Sequence, residues 1–121
     1  MMRRDFWIGL GLVASAACSS SRPPSTSREI KFGARVAQRG YWREARFRFE
    51  KAARQEPANA RAHNDLAVAL EALGEFGAAF EEYKKAVALD PGSRAIQRNY
   101  AKFAEFYTAR NKTVGKAAHA P

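Results

Sequence analysis

The sequence predicts an all-α fold: two helical hairpins stacked in a short α-α solenoid and closed by one further helix. Three observations predict it. Between residues 26 and 93, positions 34 apart match in size or chemistry. Each copy carries a glycine, a small residue, an aromatic, an alanine and a proline in the same order. Residues 94–110 then show a single apolar stripe at helical spacing.

The period pairs Phe32 with Leu66, Gly33 with Ala67, Val36 with Leu70, Gly40 with Gly74 and Trp42 with Phe76. It continues through Ala45 with Ala79, Phe49 with Tyr83, Ala52 with Ala86, and Pro57 with Pro91. Helices are expected near 27–39, 42–55, 59–72, 76–89 and 94–110. Gly40 and Gly74 can adopt the left-handed conformation that ends a helix. Ala45 and Ala79 suit positions where two helices approach closely. Phe49 and Ala52, like Tyr83 and Ala86, lie three apart on one face. Pro57 and Pro91 steer the preceding residue out of helical angles, and Asn59 and Ser93 stand ready as N-caps. Phe47, Phe49, Phe80 and Tyr83 are expected in the core. In the last helix Ile96, Tyr100, Phe103 and Tyr107 form the stripe, while Arg94, Arg98, Lys102 and Glu105 meet water, as a capping helix requires. Residues 111–121 lack a core pattern and are expected to fray.

These residues resemble the tetratricopeptide repeat. In that pattern a first helix carries large and small apolar residues, a glycine marks the turn, a second helix carries Ala, an aromatic and Ala, and a proline follows. The resemblance implies a right-handed α-α solenoid with repeats at 26–59 and 60–93 and a capping helix at 94–110. Glu29 and His63 stand where the family often has tryptophan. About three repeats are usually needed for stability, so either the final helix supplies the missing half-repeat or a partner completes the fold.

The resemblance also implies that the first helices line a concave groove that holds a protein or peptide. By position, the lining residues expected are Ile30, Lys31, Ala34, Ala37, Gln38, Arg61, Asn64, Asp65, Val68 and Glu71, with Arg98 and Lys102 on the last helix. Some members clamp a peptide carboxylate with Lys and Asn, but Ile30 and Ala34 occupy those positions here. Charge is segregated: residues 22–57 carry net +6, residues 58–91 net −3 and residues 92–121 net +5. Such a distribution suits an acidic partner or anionic lipid headgroups, and it also serves solubility.

The 121 residues allow one small domain, preceded by an export segment. Arg3 and Arg4 precede an uncharged run from Phe6 to Ala17. Twelve helical residues span about 18 Å, short of the roughly 30 Å hydrocarbon core, so residues 1–17 are expected to be a signal peptide. Ser15-Ala16-Ala17-Cys18 resembles a bacterial lipobox with Ser15 in the usual leucine position. It implies acylation of Cys18, with residues 18–26 as a polar Ser/Pro linker and the outer membrane, periplasmic side, as the location. Cleavage after Ala16, giving a soluble periplasmic protein, is the alternative. Arg3-Arg4-Asp5-Phe6 is read as a plain basic n-region rather than a twin-arginine signal.

One cysteine and two histidines, His63 and His119, argue against a disulfide framework or a metal cluster. The chain shows no Ser/His/Asp order, no phosphate-cradling loop, and no zinc-finger, RNP-like or helix-turn-helix signature. The expectation is a non-enzymatic adaptor without cofactor, which binds protein rather than nucleic acid. His63 is expected at a helix–helix seam.

Overall fold

The computed structural model describes residues 25–119. The expected signal peptide, Cys18 and most of the linker lie outside them. Five helices follow in order: α1 (Ser25–Gln38), α2 (Trp42–Gln55), α3 (Ala60–Ala72), α4 (Phe76–Leu89) and α5 (Arg94–Ala117). Helix α1 packs on α2 and α3 on α4 as hairpins, α2 meets α3, and α5 packs on α4.

The two hairpin turns are duplicates. Gly40 (φ 82°) and Gly74 (φ 77°) are the left-handed residues. In the first turn Gly40 N donates to Ala37 O at 2.9 Å and Tyr41 N to Val36 O at 3.0 Å. In the second, Gly74 N donates to Glu71 O at 3.0 Å and Glu75 N to Leu70 O at 2.9 Å. Both are Schellman motifs, which satisfy carbonyls that the helix end would leave without partners. Between hairpins, Asn59 Oδ1 accepts from Ala62 N at 3.1 Å and Ser93 Oγ from Ile96 N at 3.4 Å, so both N-caps form as their sequence positions indicate.

Ala45, Phe49, Leu66, Ala67, Ala69, Leu70, Ala79, Tyr83 and Phe103 form the main core. Gly33 lies so close to Phe49 that an added Cβ would sit 2.6 Å from its ring. Phe103 seals the C-terminal side, stacked on Tyr107 and packed against Tyr83 at a centroid distance of 5.2 Å.

The structure departs from the sequence expectations in three places. Helix α1 already includes Ser25 and Thr26, inside the stretch expected as linker, and Thr26 is buried with its hydroxyl donating to Gln55 Oε1 at 3.2 Å. Helix α5 runs on to Ala117 instead of ending at 110. No proline interrupts residues 111–117, and extending an existing helix costs far less than starting one. Phe47 is 49% exposed, not core: it lies on the side of α2 opposite Ala45, Phe49 and Ala52.

Candidate partner-binding groove

The first helices of the hairpins, with Trp42 and Phe49 of α2 and one residue of α5, line a depression of about 540 Å³. Its apolar wall is Ala34, Ala37, Trp42, Phe49 and Val68; its polar lining is Gln38, Arg61, Asn64, Asp65 and Asn99. Successive turns of α1 and α3 place these residues on one face, since side chains three and four apart stack on a helix.

Four of these five polar residues form a connected ladder. Asn99 Nδ2 donates to Asn64 Oδ1 at 3.1 Å, and Asn64 Nδ2 donates to Asp65 Oδ1 at 3.1 Å. Arg61 Nε stands 3.5 Å from Asp65 Oδ2. Burial pushes the Asp65 carboxyl above its ordinary range, and Asn64 and Arg61 only partly oppose that. Each amide has a second N–H, and Asp65 has further lone pairs, so the ladder can pair with the backbone of an extended chain.

Of the lining residues expected from sequence, Ala34, Gln38, Arg61, Asn64, Asp65 and Val68 meet in this depression, together with Ala37. Others are placed elsewhere. Ile30 is 4% exposed, packed with Ala52 and Ala62, and presents nothing to a ligand. Glu71 accepts a hydrogen bond from the Tyr83 hydroxyl at 2.9 Å, an arrangement that, after burial itself, pushes the phenol pKa up. Lys31, Arg98 and Lys102 are exposed on α1 and α5 but do not line the depression. Sequence reasoning missed Trp42, Phe49 and Asn99 as lining residues. Asn99 stands 34 residues after Asp65, so the period itself pointed to it.

A second depression, about 510 Å³, opens on the α2–α4 side. Several of its charged side chains pair with one another: Arg46 with Glu50 at 2.7 Å and Glu75 at 2.5 Å, and Lys85 with Glu82 at 2.6 Å. His63 reaches it from the α3–α4 seam. Its Nδ1 lies 2.6 Å from Glu82 Oε2 and its Nε2 lies 2.7 Å from the Pro57 carbonyl oxygen. The ring thus links α3 to α4 and to the loop before α3. Burial acts to raise the Glu82 pKa, but Lys85 and His63 together hold it below the ordinary value. Pairing of this kind leaves fewer free hydrogen-bonding groups here than in the α1–α3 groove.

Residues 60–103, covering α3, α4 and the first turns of α5, match the family model described as tetratricopeptide repeat. That segment carries a tetratricopeptide repeat. The α1–α2 hairpin repeats its turn, its buried alanines and its aromatic at the same offset. The chain is also similar to the type IV pilus assembly protein PilF of Pseudomonas aeruginosa, at 30% identity over 106 residues. That match covers 81% of this chain and 42% of the relative, so the chain spans about two fifths of the relative's length. Tetratricopeptide repeats are non-catalytic protein-interaction modules, and a role in protein–protein interaction follows for this one. Among the described residues, no three His, Cys, Asp or Glu side chains group to hold a metal ion, and no helix is long and apolar enough to cross a membrane.

Proposed function

We propose that this protein is an envelope adaptor, exported and tethered through an acylated Cys18, whose α1–α3 groove holds an extended segment of a partner during assembly of a surface machine of the pilus kind. The observation that carries the reading is the groove itself. It has an apolar wall of Trp42, Phe49 and Val68, and a polar ladder from Arg61 to Asn99 with hydrogen-bonding capacity left over. The similarity to a type IV pilus assembly protein supports the setting. The lone cysteine directly after a short apolar run, followed by a Ser/Pro stretch, supports the tether. Each buried acyl CH₂ contributes about 0.8 kcal/mol, so two or more chains hold a protein firmly. The partner is a protein, and nucleic acid is not its ligand.

Two measurements test this. Mass spectrometry of the mature N-terminus from the native host should find acylated Cys18; an unmodified residue there would leave a soluble exported adaptor. Affinity capture from the same host should recover a partner with the wild-type chain and lose it with Asn64→Ala/Asn99→Ala. Undiminished recovery by that variant would remove the groove from the account.

A further inference from the structure

The outer face of α1 is basic and aromatic. Arg28, Phe32 and Arg35 follow one another at helical spacing on the side away from the buried Ile30 and Gly33, with Lys31 beside them. Phe32 is 36% exposed and lies between two guanidiniums, Arg48 at 4.5 Å and Arg35 at 5.5 Å from its ring centroid. Arg48 also stands 5.5 Å from the exposed ring of Phe47, which joins α2 to the same surface. The carboxylates nearby are neutralised within the hairpin: Glu29 pairs with Lys51 at 2.6 Å and Arg48 at 3.3 Å, and Glu44 with Arg48 at 2.7 Å. No ion pair within the described residues engages Arg28, Lys31 or Arg35.

We propose that this face rests on an anionic phospholipid surface. Exposed cations supply attraction to the headgroups, and the two phenylalanines supply apolar area at the depth where amphipathic surfaces settle. The chain's direction agrees with this. Six residues separate Cys18 from Ser25, so seven Cα steps reach at most about 25 Å, and α1 is the first of the described helices after Cys18. In this respect the orientation rests on the proposed tether; the charge and exposed rings of the face do not. Helix α5 packs on α4 and α3 and makes no contact with α1, so its basic residues belong to a different part of the surface.

The test uses the full chain carrying Cys18→Ser, titrated with phosphatidylcholine vesicles and with vesicles in which about a third of the lipid is phosphatidylglycerol. Binding should favour the anionic vesicles, and the preference should fall as salt rises. Arg28→Ser/Lys31→Ser/Arg35→Ser should lower the preference on the order of 100-fold, at about fivefold per cation. Arg28→Lys/Arg35→Lys should keep it, and Arg94→Ser/Arg98→Ser/Lys102→Ser should leave most of it. Residues 6–17 are common to all variants, so their own affinity for lipid cancels. Equal losses from the two serine triples would reduce the effect to net charge and overturn the proposal. So would an absence of anionic preference. None of these outcomes bears on whether Cys18 is acylated, and an unmodified Cys18 would not alter the vesicle result.

Discussion

The two hairpins share one frame and fill it with opposite chemistry. Each has a Schellman turn on glycine, fully buried alanines on its second helix and an aromatic between them. At the position where the family often places tryptophan, however, the first hairpin has Glu29 facing Arg48 and the second has His63 facing Glu82. Arg48 and Glu82 stand 34 residues apart, so the same two positions carry a polar pair with the carboxylate on the opposite member. Lys51 and Lys85 repeat as well, but Lys51 serves the α1 carboxylate and Lys85 the α4 carboxylate. The frame fixes where a helix–helix bond forms, and which helix supplies the carboxylate is free to vary.

Surroundings differ more than chemistry. Helix α3 buries seven residues and α1 three, because α3 sits against both hairpin neighbours while α1 has an open side. Phe32 is consequently half-covered by arginines where its counterpart Leu66 is core.

The largest expected effects come from removing what seals each hairpin. Phe103→Ala should cost about 3–5 kcal/mol in denaturant unfolding, since it empties the contact between α4 and α5. A variant near wild-type stability would mean that α5 is not part of the cooperative unit.

Next comes the reversed pair. His63→Glu alone should cost on the order of 3 kcal/mol by facing Glu82 with a like charge in a buried site. His63→Glu/Glu82→Arg, which copies the first hairpin's pair into the second, should recover most of that. Additive losses would show that the two hairpins do not share this solution.

Close approach gives a third contrast. Gly33→Ala should cost about 1–3 kcal/mol through its clash with Phe49, whereas the counterpart Ala67 already carries that Cβ fully buried. The duplicated turns should by contrast respond alike. Gly40→Ala and Gly74→Ala should each cost roughly 1–2 kcal/mol, and unequal costs would break the equivalence.

The smallest effects are electrostatic. The Lys51 hydrogen bond, assisted by Arg48, holds Glu29 below its ordinary 4.5, and Glu82 is likewise lowered. Both therefore contribute stability above that pH and lose it as pH falls through their folded values. Unfolding midpoints should drop in acid, and Glu29→Gln should flatten that dependence. Asp65 has the opposite sign: burial raises its pKa, so its ionised form is disfavoured by the fold. Asp65→Asn should raise stability at neutral pH while weakening groove binding. A variant that gains neither would place Asp65 outside the docking surface.

Much of this was readable before any coordinates. Glycine, asparagine and serine act on their own backbone neighbourhood, so both turns and both N-caps follow from residue type and spacing alone. The groove was read in part. Ala34, Gln38, Asn64, Asp65 and Val68 emerge from periodicity, but Ile30 and Glu71 share it and turn elsewhere. Ile30 is drawn into the seam with Ala52 and Ala62, and Glu71 toward the Tyr83 hydroxyl, contacts that depend on helix rotation. Phe47 shows the same limit, because composition marks it as core and only the facing of α2 leaves it in solvent.

The most direct test of the central claim compares the two depressions. A photo-crosslinking side chain is placed at Val68 in the α1–α3 groove or at Ala78 on the α2–α4 side, and both are illuminated in the native host. A discrete protein adduct from position 68 and none from position 78 is the result predicted here; an adduct from 78 alone would contradict it.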